Sequence, residues 1–134
     1  MKPTTSAKLT PSYILDTSAL IVYLAEETGA DRVRAVRHAA AIPFIVLTEL
    51  YYVTWRQQDQ TLADRTVQHV LRWHLPLLTP DERLSLSAGY LKARYQMGVA
   101  DSFIAAFALT YHATLVTKDP DFHVLRPDLQ LLAL

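Results

Sequence analysis

Five carboxylates stand where apolar runs of this 134-residue sequence end or where helices begin. Asp16 closes the run Tyr13-Ile14-Leu15, and Glu49 follows the run Ile42–Val46. Asp101 opens a stretch in which Ala100, Phe103, Ile104, Phe107, Ala108 and Tyr111 fall at helical spacing. Asp119 and Asp121 flank Pro120 just past the β-type run Ala113–Val116, where proline cannot continue a strand and Asp favours a turn. Taken singly, each acid has a structural reading. Asp16 is an N-cap, Glu49 and Asp101 are first-turn acids favoured by the helix dipole, and the last two build a turn. Taken together, they occupy the carboxyl ends of strands, where an open α/β sheet binds ligands. Carboxylates gathered on one rim repel: two at about 4 Å cost roughly 4 kcal/mol at an effective dielectric near 20. A fold that converges them has a place for a cation. All-oxygen ligands, with no cysteine and no histidine pair, suit a hard ion, Mg²⁺ or Mn²⁺. Such an ion activates water and offsets charge on a phosphodiester under attack. Thr17, Ser18 and Thr117 bring hydroxyls beside the acids, either as caps and turn hydrogen bonds or as members of the site.

Other reactive side chains form no pattern. His38, His69, His74, His112 and His123 include no i, i+4 pair and no hydrolase motif, and they read as surface or partly buried residues. Tyr51, Tyr52 and Trp55 read as core or subunit-interface packing rather than as a base-stacking platform. More apolar surface on that helix than a small sheet needs predicts self-association.

Thirteen basic and 13 acidic residues leave no net charge, so basic contacts to a polyanion must be local. Lys118 and Arg94 are the candidates for phosphate contact. A hydrophobic content of 51% excludes a disordered chain. The length suits one domain with a real core, and the absence of cysteine excludes disulfides and thiolate zinc sites. No apolar run approaches the roughly 18 residues of a membrane helix. The polar, proline-containing N-terminus does not read as a signal peptide, so a soluble cytoplasmic protein without a membrane partner is expected.

The elements that must position the acids alternate. Residues 1–11 read as a flexible tail and 12–134 as a single domain. Tyr13–Leu15 is a strand, and a helix from Thr17-Ser18 runs until Gly29 breaks it. A second helix turns Val33, Val36 and Ala40 inward and Arg32, Arg34 and Arg37 outward. Ile42–Val46 is a second strand, and Thr48-Glu49-Leu50 opens a third helix. Thr61–Trp73 is a fourth helix, Leu75–Leu78 a third strand, and Asp81–Gln96 a fifth helix ended by Gly98. The buried helix from Ala100, a strand at Ala113–Val116 and an edge strand within Leu129–Leu134 complete the chain. Strands alternating with helices predict a parallel sheet covered on both faces.

These segments resemble the PIN-domain ribonucleases, and among them the VapC-type toxins of prokaryotic toxin–antitoxin pairs, over nearly all of residues 13–134. The likeness rests on Y-I-L-D-T-S-A-L around Asp16, V-L-T-E-L around Glu49, V-A-D-S-F-I-A-A around Asp101 and V-T-K-D-P-D-F around Asp119. Ser102 and Phe103 depart from the smaller or aliphatic residues common there, and the N-terminal tail is longer than usual. The resemblance implies a three-layer α/β/α sandwich with a parallel sheet of four to five strands. It implies Mg²⁺-dependent (or Mn²⁺-dependent) cleavage of RNA, with Asp16, Glu49, Asp101 and Asp119 as metal-binding and catalytic acids. Thr17, Ser18, Thr117 and Asp121 are accessory residues. It also implies a homodimer and a small antitoxin partner. The alternatives are a PIN nuclease of RNA processing or DNA structures, outside toxin–antitoxin biology, and a metal-free binding module on the same fold.

Overall fold

Five short strands, β1 (Tyr13–Leu15), β2 (Ala40–Pro43), β3 (Leu77–Leu78), β4 (Thr114–Thr117) and β5 (Leu131–Ala133), pair in the order β3-β2-β1-β4-β5, every pair parallel. The computed structural model describes residues 10–134; the tail expected over residues 1–11 lies, as far as residue 9, outside them. Helices α1 (Thr17–Leu24) and α2 (Ala30–Val36) link β1 to β2, α3 (Phe44–Gln57) and α4 (Gln60–Leu71) link β2 to β3, and α5 (Glu82–Arg94) and α6 (Val99–Thr110) link β3 to β4. Neighbouring strand residues point to opposite faces, yet Ile14 and Leu15 of β1 and Leu115 and Val116 of β4 are all 0% exposed. Helices therefore cover both faces, giving the three-layer α/β/α sandwich that the resemblance implied. No helix among the described residues is long and apolar enough to cross a membrane.

Helix α6 is the centre of the packing. Ile104 through Ala108 are consecutively buried, a helix apolar all round. It contacts β1, β2, β4, α3 and α5, and its run of alanines allows close approach to the sheet. Phe44 meets Phe103 and Phe107 edge-on at centroid distances of 5.4 and 6.3 Å, a favoured aromatic geometry.

Several boundaries differ from the sequence expectation: the first helix ends at Leu24, short of Gly29, and the third strand begins at Leu77 rather than Leu75. The second strand is Ala40–Pro43 rather than Ile42–Val46, and Phe44–Val46 are helical. A short apolar run carries no reliable period. Here Pro43, extended at ψ 144°, stands before the first turn of α3, where its missing N–H costs nothing. Ala40 is accordingly buried as a strand residue and not on the second helix, and Glu49 lies in the second turn of α3 instead of opening it. The fifth helix stops at Arg94, and Gly98 caps the start of α6 rather than ending α5. Lys92 Nζ spans the connection, donating to the Met97 carbonyl at 3.0 Å.

From β1 the chain moves outward to β2 and β3, then returns to place β4 on the other side of β1. Strand order thus reverses between β1 and β4. That reversal opens a crevice at the carboxyl ends of the two strands, and those ends carry Asp16 and Thr117.

Candidate active site

Asp16 follows β1 directly and caps α1, accepting from Ala19 N–H at 2.8 Å. Its Oδ1 also accepts from Ser18 Oγ at 2.7 Å, and its Oδ2 from Thr117 Oγ1 in a short hydrogen bond. The residue is 4% exposed. Burial raises its pKa, hydrogen bonds from Thr117, Ser18 and Ala19 work against that rise, and the charge of Asp119 adds to it. Three donors make it a fixed, oriented carboxylate.

Thr117 ties the two central strands together. Besides donating to Asp16 it accepts from Asp119 N–H at 2.9 Å. Ser18 repeats the arrangement from α1: its hydroxyl accepts from Lys118 N–H at 2.8 Å and lies 3.4 Å from Thr117 Oγ1. Thr17 donates to Glu49 Oε1 at 2.7 Å and so holds the α3 acid against the start of α1. All three hydroxyls flagged in the sequence touch an acid or the loop that carries one. Asp119 caps the short 3-10 helix Pro120–Leu125 by accepting from Asp121 N–H at 2.9 Å.

Asp101 enters from the first turn of α6. Carboxylate oxygens of Asp101, Asp119 and Asp121 lie within 4.8 Å of one another. The Asp101 carboxyl is pushed up to about 6, by burial first and then by the charges of Asp119, Glu49, Asp16 and Asp121. One carboxyl therefore senses all four others, brought to one rim by β1, α3, α6 and the turn after β4.

The two candidate phosphate contacts fare differently from the acids. Lys118 follows Thr117, but its Nζ pairs with Glu27 Oε1 at 3.4 Å. Arg94 lies at the end of α5 with its guanidinium 5.9 Å from the Tyr95 ring centre. Neither forms an ion pair with the five acids among the described residues. The Lys118–Glu27 pair was not read from the sequence; 91 positions separate the two, and no spacing rule spans that gap.

The donor set fits a divalent cation. It is all oxygen, as hard ions require, and the Asp101 carboxyl is raised by burial and then by four neighbouring acids, a cost that a nearby positive charge offsets.

A family model described as PIN domain matches residues 13–126. No curated protein sequence matches at a significant level. Among solved structures, VapBC2 from Rickettsia felis bound to a DNA fragment from its promoter has a TM-score of 0.74 at 21% identity, covering 91% of this chain and 98% of that one. VapBC-1 from nontypeable Haemophilus influenzae has a TM-score of 0.68 at 26% identity, covering 90% and 96%. VapC20 from Mycobacterium tuberculosis, a Sarcin-Ricin loop cleaving toxin, has a TM-score of 0.73 at 18% identity, covering 86% and 95%.

Proposed function

The chain belongs to the PIN-domain family, and from that premise we propose that it is a Mg²⁺- or Mn²⁺-dependent endoribonuclease, the toxin of a toxin–antitoxin pair. The observation that carries this reading is the gathering of Asp101, Asp119 and Asp121, whose carboxylate oxygens lie within 4.8 Å of one another, with the Asp101 carboxyl raised by burial and then by the charges of Asp119, Glu49, Asp16 and Asp121. Asp16, Glu49, Asp101 and Asp119 hold the cation, and Asp121 stands beside them as an accessory acid. When bound, the ion activates water and offsets the charge that grows on the phosphate.

The chain's own residues supply orientation. Thr117 and Ser18 donate to Asp16 and aim it, Thr17 donates to Glu49 and aims it, and Pro120 with the Asp119 cap stiffens the turn. Fixed ligands cost no reorganisation when substrate arrives. The VapBC neighbours and the neighbour named as a Sarcin-Ricin loop cleaving toxin support the substrate class and the antitoxin partner. An inhibitor that places an Arg among the acids matches this site, because a guanidinium fork pairs bidentately with carboxylates and stands in for metal charge. The protein acts in the cytoplasm as a homodimer joined through the α3–α4 hairpin.

The test is incubation of purified protein with structured RNA and single-stranded RNA, in Mg²⁺ and in EDTA. Cleavage to discrete fragments only with Mg²⁺ is expected. Intact RNA in Mg²⁺ and in Mn²⁺ overturns the catalytic reading in favour of a binding module, and preferential cleavage of DNA moves the protein outside the toxin class.

A further inference from the structure

Among the described residues, Lys118 beside the acids is paired with Glu27. The unpaired positive charge lies elsewhere. On α4, Arg65, Gln68, His69 and Arg72 follow one another at i, i+3, i+4 and i+7 and form a single exposed stripe. They line a concavity of about 540 Å³ with Thr66 and Leu24, and no carboxylate lines it. Among the described residues neither arginine forms an ion pair. The helix dipole accounts for a cation in the last turn, which covers His69 and Arg72 but leaves Arg65 unexplained.

The stripe continues beyond the helix. His69 meets Trp73 edge-on at 5.6 Å, and the Arg37 guanidinium sits 4.7 Å from the Trp73 ring centre and 5.1 Å from that of Tyr23. A guanidinium lying over rings is positioned without a carboxylate and keeps its charge available.

We infer that the Arg65–His69–Arg72 stripe, extended by Arg37, is a second contact for the phosphodiester backbone of the RNA substrate, outside the acid centre. This rests on the ribonuclease reading. Apart from Leu24, the lining side chains all carry hydrogen-bond donors, as phosphate oxygens require. Helix α1 joins the two regions: Thr17 holds Glu49 at one end and Leu24 lines the basic concavity at the other, about 10 Å apart at 1.5 Å per residue. One RNA strand of a few nucleotides spans that distance, since strand charges recur every 3.4 Å or so. An acidic centre that repels RNA until metal binds gains its substrate affinity from such a stripe.

The experiment measures binding of a fluorescently labelled single-stranded RNA in EDTA, where no cleavage occurs, across a salt series. The proteins are wild type, Arg65→Glu/Arg72→Glu, the milder Arg65→Gln/Arg72→Gln, and Arg83→Glu on the exposed face of α5 as a charge control. The reversal pair should weaken binding by at least about tenfold and flatten the log–log salt slope by about 1–2, because two phosphate contacts are lost. The glutamine pair should move the same way by less, and Arg83→Glu should match wild type. Equal affinity and slope for the wild type and both double variants overturns the inference. So does an equal loss in Arg83→Glu, or no measurable binding by the wild type. Wild-type protein that binds RNA in this way but never cleaves it with Mg²⁺ refutes the ribonuclease reading and leaves the stripe standing.

Discussion

Replacing Asp101 by Asn should make the metal-free protein more stable while abolishing its activity. Asn keeps the shape and removes one charge from the centre of five. Moving the Asp101 carboxyl from 3.8 to about 6 amounts to at most about 3 kcal/mol against its ionised form. The side chain is half-buried, so solvent screening reduces that to roughly 1–2 kcal/mol. Loss of a negative charge in the first turn of α6 costs roughly 0.3–1 kcal/mol. The net gain is about 1 kcal/mol at pH 8, or about 2–5 °C in melting temperature for a chain of this size. The gain depends on pH with a definite sign. Because the folded pKa lies above the unfolded value, the strain is absent below 3.8, grows through the window up to about 6 and is complete above it. Wild-type stability in EDTA should therefore fall across that window, and burial of Asp16 adds to the fall in the same sense. The variant should lose part of this dependence. The assay is thermal melting of both proteins in EDTA at pH 5 and pH 8, repeated with Mg²⁺. Mg²⁺ should raise the wild-type midpoint more than the variant's. A variant that melts several degrees lower in EDTA at pH 8, or an equal rise with Mg²⁺, would show that Asp101 is only a first-turn acid of α6 and that the acids share no cation.

Thr117→Val removes the donor to Asp16 Oδ2 and the acceptor for Asp119 N–H; denaturant melts in EDTA should lose about 1–3 kcal/mol, and unchanged stability refutes its linking role. Gly29→Ala forces a side chain onto a backbone at φ +105° and sets its Cβ 3.2 Å from Leu134 Cβ, so a loss of about 1–3 kcal/mol is expected by the same measurement. Tyr52 and Trp55 on α3 and Leu62 on α4 are 42%, 45% and 41% exposed; sedimentation at tens of micromolar, set to detect dissociation constants of about 1 µM, should give a dimer, and Trp55→Glu should give a monomer.

Order and type of the elements were legible because Asp, Gly and Pro punctuate strong apolar runs. Tyr13–Leu15, α4 and α6 fell within a few residues of their expected bounds. What failed was local. Ile42–Val46 is apolar throughout, so nothing in its period separates strand from helix, and only packing of Phe44 on Phe103 and Phe107 decides it. Gly98 suits either end of a helix; its φ of −68° gives no left-handed turn, and the chain used it to begin α6. In the site, the placing of the acids at strand ends and helix starts allowed them to share one rim, where Asp101, Asp119 and Asp121 lie within 4.8 Å of one another. The sequence could not tell whether Thr17, Ser18 and Thr117 were caps or site members, and the geometry makes each hydroxyl serve an acid. Lys118 looked free in sequence because Glu27, its partner, lies on a distant loop.

The bond from Thr117 to Asp16 spans 101 positions, and that from Lys118 to Ser18 spans 100. During synthesis Asp16, Glu49 and Asp101 emerge well before the strand that locks the first of them. Until β4 slots beside β1, Asp16 lacks one of its three donors, and Asp119 has not been delivered. A contact of such long sequence separation forms late, after the intervening segment has collapsed. The acid site is consequently incomplete on the growing polypeptide, and it is assembled only when β4 has joined the sheet.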